Sequence, residues 1–365
     1  MKIAFFGSSL VSSYWNGAAT YYRGLLKELA ALGHYITFYE PDAFERQRHR
    51  DMADPDWARV VVYPGTGDGW KRPLEQAAKE ADLLVKASGV GVFDHELEEA
   101  VPQAAPARTH CVYWDVDAPA TLDAMGHDPA HHLRAAIPTY DIVLTYGGGR
   151  PVIVGYGQAG ARCCVPIYNA LDPATHYPVP SHPDYACDLG FLGNRLPDRE
   201  TRVEEFLLRA ADLAPGKRFL LGGSGWDDKH VPANVRRIGH VGTAAHSAFF
   251  CSGLATLNIN RESMARYGFS PATRVFEAAG AGACLITDAW DGIEQFLTPD
   301  EEVLVARDGA DVMAHLASLT EKRARQIGTR GRERILKEHT YNQRAAVVDA
   351  LFRQCLARRR QARAA

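Results

Sequence analysis

The chain has 365 residues, 46% of them hydrophobic and 23% charged, with a formal net charge of −3. That length exceeds one simple core and predicts two domains. The composition excludes a disordered chain, the small net charge argues against a nucleic-acid binder held by bulk electrostatics, and no apolar run approaches the roughly 18 residues of a membrane span.

In chain order, the first half alternates strands and helices. Strands are expected over 2–6, 35–39, 57–63 and 83–87, then an extended segment over 109–114 and a strand over 141–146. Helices are expected over 20–32, 73–80, 96–101 and 131–136. Gly33 stops the first helix, and the last strand runs into Gly147-Gly148-Gly149. After a Pro-rich stretch, 172–183, a second series begins. Its strands are expected over 187–192, 218–221, 235–238, 255–259, 283–287 and 303–305. Its helices are expected over 199–213 and 244–251 and near 292–297, with further helices to the end. This is a doubly wound α/β pattern repeated twice. The expected domains are 1–170 and 171–340, with a C-terminal helix over 341–365 that can pack back on the first.

In open parallel sheets ligands gather beyond the carboxyl ends of strands, so the loops there are the ones to watch. The segment 268–288, GFSPATRVFEAAGAGACLITD, stands out among them. Ser270 is placed to cap a helix and Pro271 suits its first position, while Ala281-Gly282 ends it. The free N–H groups at such a start can hold an anion. Arg274 lies in that first turn beside Thr273, and Glu277 follows on the same face, about 5 Å further along the axis. Diphosphate on the helix start and Arg274, with ribose hydroxyls on Glu277, is one reading. A surface i,i+3 ion pair is the other.

Seven scattered cysteines with no C-x-x-C pair are expected to be free thiols of a reducing compartment. The apolar stretch of MKIAFFGSS is too short for a signal peptide, so the expected location is the cytoplasm. The basic run Arg353, Arg358, Arg359, Arg360 and Arg363 reads as a solvated helix end, with an anionic membrane or polyphosphate as the alternative.

Three segments resemble GT-B glycosyltransferases, and specifically the CgeB-like (spore-maturation-protein) group related to the family 4-type enzymes. NGAATYYRGLL, from Asn16 to Leu26, followed by ALGH, is similar to the loop and helix that open such enzymes. Asn169-Ala170-Leu171-Asp172-Pro173, followed by His176, resembles their Asn-Gly-Val-Asp junction. RVFEAAGAG, from Arg274 to Gly282, resembles their donor-site helix and sets Glu277 on the ribose-binding glutamate. The resemblance implies a GT-B architecture, two Rossmann-like domains facing across a cleft. It also implies hexosyl transfer from a nucleoside-diphosphate sugar to an acceptor hydroxyl of a glycan, protein or small molecule. The chain departs from the Glu-x7-Glu pair of related enzymes, since Phe269 stands where the first glutamate would be.

Such a transfer builds negative charge on the leaving diphosphate. Expected donors to it are Arg274, the helix start at Ser270 and Thr273, and the backbone of Gly193-Asn194 and of Gly222, Gly223, Ser224 and Gly225. Asn260 and Arg261, leaving a strand at the same end, complete the set. These groups make a metal ion and any other cofactor unnecessary, and no strong Asp-x-Asp site lies in the second domain. Asp115 and Asp117, alternating after an apolar strand, are candidates for the base, for a metal-binding Asp-x-Asp, or for a turn cap. A retaining reaction needs no protein base. Asn16, Gly17 and Thr20 are candidates to approach the donor or acceptor across the cleft, and Gly147 and Gly148 to let the backbone approach a substrate, or all simply form a cap and tight turns. His127-Asp128 with His131-His132 has metal-like spacing but reads as solvated. Competing functions are a nucleotide-sugar epimerase or hydrolase, a non-catalytic nucleotide-sugar-binding protein, and a nicotinamide-dependent dehydrogenase with Glu40 as its ribose acid. FGSSLVS is not the G-x-G-x-x-G turn that the last requires.

Overall fold

The structure, a computed structural model, describes residues 1–364, with side chains in the last helix described as far as residue 357. The chain forms two compact units, Met1–Tyr168 with the helix Tyr341–Ala364, and Asn169–Thr340.

The first unit holds seven strands: β1 Lys2–Phe6, β2 Tyr35–Asp42, β3 Ala58–Pro64, β4 Leu83–Ala87, β5 His110–Asp115, β6 Ile142–Thr145 and β7 Cys164–Pro166. They form one sheet in the order β3-β2-β1-β4-β5-β6-β7, every pair parallel. β4 and β5 are buried along their whole length, as strands covered by helices on both faces must be. The helix Ala19–Ala31 follows β1, and Gly24 lets Tyr341 of the last helix lie against its backbone. Two helices escaped the sequence reading, Ala118–His127 and Gly149–Gln158. Gly149, Pro151, Gly155 and Gly157 hide the second, since glycine and proline lower helix propensity.

The second unit holds β8 Cys187–Leu192, β9 Phe219–Gly222, β10 Val235–Gly239, β11 Gly253–Asn258, β12 Leu285–Asp288 and β13 Leu304–Ala306. The parallel order is β10-β9-β8-β11-β12-β13. Its core is built on Leu189, Phe191, Leu221, Leu257 and Ile286. The helix expected over 199–213 is a run from Pro197 to Leu213 with a π-helical turn, Glu204–Leu208, in its middle. The short helix Glu262–Tyr267 was not foreseen, and the one expected near 292–297 shrinks to a 3₁₀ turn, Ile293–Gln295.

In each sheet the strand order reverses once, at β1/β4 and at β8/β11. The crevice outside the carboxyl ends of such a pair is where ligands bind in this class of fold. Among the described residues, no helix is long and apolar enough to cross a membrane.

Candidate functional site

At the carboxyl end of β8 the backbone turns through Gly193-Asn194, and β9 ends beside it at Gly222 to Gly225. The two loops are stitched together. Gly193 N–H donates to Gly222 O (2.9 Å), Ser224 N–H to Asn194 Oδ1 (2.9 Å) and Trp226 Nε1 to Gly193 O (2.8 Å). Gly223, at φ +120°, donates to Gly239 O and lies so close to Gly193 O that a side chain there has no room. This corrects one expectation. The N–H groups of Gly193, Gly223 and Ser224 are spent on holding the corner and are not ligand donors.

Guanidinium groups lie close to the bare corner. A Cβ on Gly193 would stand 2.7 Å from Arg274 Nη2 and 3.3 Å from Arg199 Nη1. Two guanidinium groups thus converge on the bare backbone of Gly193. Arg274 donates to Asn258 Oδ1 (2.9 Å), and its guanidinium carbon lies 4.9 Å from the ring centre of Phe191. Burial, and next the charge of Arg199, lower its pKa to about 9, with Glu277 and Asp288 opposing. It is still a cation at neutral pH, and an arriving anion would relieve its strain. Arg199 donates to Asn194 O (3.3 Å). Nothing in the sequence singled out Arg199 or Asn258, because the loops that unite them with Arg274 are distant along the chain.

Arg274 leads the helix Thr273–Gly280. Its cap is Ala272, not Ser270. Phe269 takes a left-handed φ of +49° and donates its N–H to Asp291 O (2.6 Å), with its ring against Gly292. The chain therefore turns before Ser270, whose hydroxyl donates back to Gly268 O (2.9 Å). Pro271 O accepts from Asn169 Nδ2 (3.0 Å), so the junction asparagine anchors the approach to the helix. In the first turn Val275 N–H donates to Ala272 O (3.0 Å), while the N–H groups of Thr273 and Arg274 precede the first residue that can find an intrahelical acceptor. Gly282, at φ +79°, ends the helix as expected.

The residues after β11 divide. Asn260 is buried, its N–H donates to Asp288, and its Nδ2 has no hydrogen-bond partner among the described residues. Arg261 is not a spare cation, because Asp198 holds it in an ion pair at 2.8 Å. Asp288 is paired with Arg202 at 2.7 Å, and burial raises its pKa.

Glu277 lies beside two histidines. Its Oε1 lies 3.8 Å from Nε2 of His176, and that nitrogen lies 3.3 Å from Nδ1 of His246. His176 and Glu277 are buried, and burial lowers the pKa of His246. Among the described residues this is the one group of three side chains that could hold a metal ion. His246, seventy residues from its partner, carried no signal in the sequence.

In the first unit the expectations fare differently. Asp115 does not face outward. It is fully buried, accepts from Ser88 Oγ (2.7 Å), the N–H of Asp117 (2.9 Å) and the Tyr156 hydroxyl, and burial raises its pKa. It holds the turn into the helix Ala118–His127, whose cap is the half-buried Asp117. Asn16 spends its whole side chain on its own loop. Nδ2 donates to Ser9 O and Ser12 O (2.8 and 2.9 Å), and Oδ1 accepts from Ser8 Oγ (2.8 Å). Gly17 is exposed, with open space where a side chain would stand, and Thr20 is half-buried in the first helical turn. Gly147 is buried, and Gly148, at φ +90° against Val152, makes the turn into Gly149–Gln158. Glu40 is fully buried and accepts from Leu10 N–H (2.6 Å) and Ser9 Oγ (3.1 Å). Its carboxylate shapes the loop after β1 and is not presented as a ribose acid. His127 bonds Asp123 O (2.7 Å) and His132 pairs with Glu98 (2.6 Å), so the expected loop histidines do not converge. Arg353 pairs with Asp349 (2.7 Å), while the side chains of Arg358, Arg359, Arg360 and Arg363 lie outside the described residues.

A family model described as glycosyl transferase-like matches residues 199–350. A sequence comparison with curated proteins finds no match. Among solved structures, the chain is similar to the sucrose-phosphate synthase of Thermosynechococcus elongatus, at 16% identity and a TM-score of 0.73 over 98% of this chain and 99% of that one. It is similar to Anabaena HepE in complex with UDP and glucose, at 14% identity and a TM-score of 0.68 over 97% and 100%. It is also similar to the phage T4 protein BGT in complex with its UDP-glucose substrate, at 12% identity and a TM-score of 0.60 over 98% and 99%. The likeness is one of fold. Two parallel sheets with interleaved helices form the two Rossmann-like domains of the GT-B glycosyltransferase architecture.

Proposed function

We propose that this protein is a glycosyltransferase that moves a sugar from a nucleoside-diphosphate sugar to an acceptor hydroxyl. One observation carries the reading. Arg199 and Arg274 converge over Gly193, at the strand-order reversal of the second sheet and beside a helix N-terminus. Two guanidinium groups converging beside a helix N-terminus make a seat suited to an anion. A diphosphate carries the matching charge, and Asn260 Nδ2 is a buried donor with no hydrogen-bond partner among the described residues.

As the bond between the anomeric carbon and the diphosphate oxygen breaks, charge grows on the leaving oxygen. Guanidinium groups and helix N–H groups already in place stabilise that charge without reorganising. Two arginines do the neutralising that a diphosphate-bound metal does elsewhere, so the transfer step is proposed to be metal-independent. Glu277, one turn beyond Arg274, is proposed to receive the ribose hydroxyls. The family match and the fold support this class of reaction. The UDP and glucose bound by the relatives favour a uridine donor and a hexosyl group. The kinship with the CgeB-like group rests on the junction and donor-helix motifs, and a cytoplasmic location on composition. The acceptor belongs to the first unit, where Gly17, Thr20 and Asp117 are its proposed neighbours.

Calorimetry with UDP and UDP-glucose, followed by assay of UDP release over an acceptor panel, tests the reading. Binding plus acceptor-dependent release is expected. Absence of binding by every common nucleoside-diphosphate sugar would overturn it. Binding without release would favour the second reading, a nucleotide-sugar-binding protein, to which the burial of Asp115 lends weight.

A further inference from the structure

The His176–His246–Glu277 group poses a hydrogen-bonding problem of its own. The Thr175 hydroxyl lies 2.9 Å from Nδ1 of His176 and 3.2 Å from Asp172 O, a carbonyl that can take its proton. With the hydroxyl proton on that carbonyl, a neutral His176 donates from Nδ1 to Thr175 Oγ1 and keeps a lone pair on Nε2. Nε2 of His246 faces the carbonyl of Val241 (3.2 Å), which also can only accept. The proton of a neutral His246 is therefore on Nε2, and its lone pair is on Nδ1. In this arrangement the two facing nitrogens, 3.3 Å apart, are both acceptors, with a carboxylate oxygen 3.8 Å from one of them. Three electron-pair donors then converge, all within 4.8 Å of one another.

We infer that His176 Nε2, His246 Nδ1 and Glu277 Oε1 form a binding site for one zinc-class divalent cation. Metal bonds of about 2.0–2.1 Å at tetrahedral angles put ligand atoms roughly 3.3–3.4 Å apart. The histidine nitrogens already meet that spacing, and all three ligand atoms lie within 4.8 Å of one another, so only the carboxylate must close in. Both histidines also have the outer partner that metal-binding imidazoles use, a hydroxyl or carbonyl accepting from the far ring nitrogen and fixing the ring's orientation. Two histidines and one carboxylate leave a fourth position for water or a ligand atom. The ion would tie together the segment at His176, the helix His246–Ser252 and the helix that carries Arg274. It takes one oxygen of Glu277 and leaves the other for a ligand. The inference rests on the spacing of the three ligand atoms and not on the donor reading.

The test uses the full chain, freed of metal by a chelator and titrated with Co²⁺ and Zn²⁺. The expected results are one equivalent bound, a visible ligand-field spectrum of tetrahedral type with Co²⁺, and a melting point raised by Zn²⁺. His246→Ala should weaken binding by at least about a hundredfold, the loss of a ligand exceeding the 10–100-fold loss of an outer partner. Thr175→Val, which leaves all three ligands in place, should weaken it by about 10–100-fold. Absence of a spectrum and of a melting shift would overturn the inference, as would equal affinity in wild type and His246→Ala. An imidazolium proton shared by the rings, seen by NMR in metal-free buffer and unmoved by Zn²⁺, would also overturn it. UDP binding measured in the presence of chelator keeps the two readings apart. UDP binding without metal binding sinks only this inference, and metal binding without UDP binding sinks only the donor site.

Discussion

Arg274→Ala separates the proposed phosphate role from a structural one. The guanidinium has one hydrogen bond, to Asn258 at 2.9 Å, and one ring contact, with Phe191 at 4.9 Å. Against these stand its desolvation and its repulsion by Arg199, which together lower its pKa to about 9. A hydrogen bond and a cation–π contact are each worth about 1 kcal/mol, and the unfavourable terms offset them. Removing the side chain should therefore change unfolding free energy by less than about 1 kcal/mol. Ligand binding should respond far more. A charge-assisted bond to phosphate is worth about 1.5–3 kcal/mol, which is about a 10–150-fold loss of affinity for UDP. Uridine, which lacks the phosphates, should lose less than about threefold. The assay is thermal shift checked by calorimetry. At UDP one hundred times Kd the wild type gains about 2.7 kcal/mol, and a hundredfold weaker variant at the same concentration gains only about 0.4 kcal/mol. Equal losses for UDP and uridine, or an unchanged UDP affinity, would refute the reasoning.

Other outcomes follow from the same geometry. Gly193→Ala sets a Cβ 2.7 Å from Arg274 Nη2 and 2.9 Å from Phe191 Cζ, so UDP affinity should fall as in Arg274→Ala with a stability cost of about 1–3 kcal/mol, read by urea unfolding. Glu277→Ala should cost about 2 kcal/mol of UDP affinity, and calorimetry should show its preference for UDP over the 2′,3′-dideoxy analogue much reduced. Asp115→Ala strands the Ser88 and Tyr156 hydroxyls and the Asp117 N–H, a loss of about 2–4 kcal/mol in unfolding, whereas Asp115→Asn keeps an acceptor and should be nearly neutral. An unstrained Asp115→Ala fold with abolished transfer would make that residue the base after all. His34 is held below its usual pKa by burial, against the pull of Asp349. As pH falls below about 6.5 the unfolded chain takes this proton first, so stability should fall from pH 7 toward 5.5, and less in His34→Gln. Urea midpoints at the two pH values measure it.

The linear sequence was enough to fix the two α/β series and the ends of most strands. Burial of β4 and β5 on both faces favours apolar runs such as Leu83–Val85 and Cys111–Trp114, and such runs are visible without coordinates. It also marked Arg274 and Glu277, because one helical turn brings i and i+3 onto one face. Tertiary structure decided where the helix starts, since Asp291 and Gly292 force the turn at Phe269 and so pass the cap from Ser270 to Ala272. It decided that Asp115 is interior scaffolding, that Asp198 neutralises Arg261, and that Arg199 joins Arg274 at Gly193. It alone brought His176 to His246. Periodicity reports which face of an element is apolar, and caps and turns report where it ends. Which side chains meet across seventy residues depends on strand order and loop packing, and no local pattern encodes that.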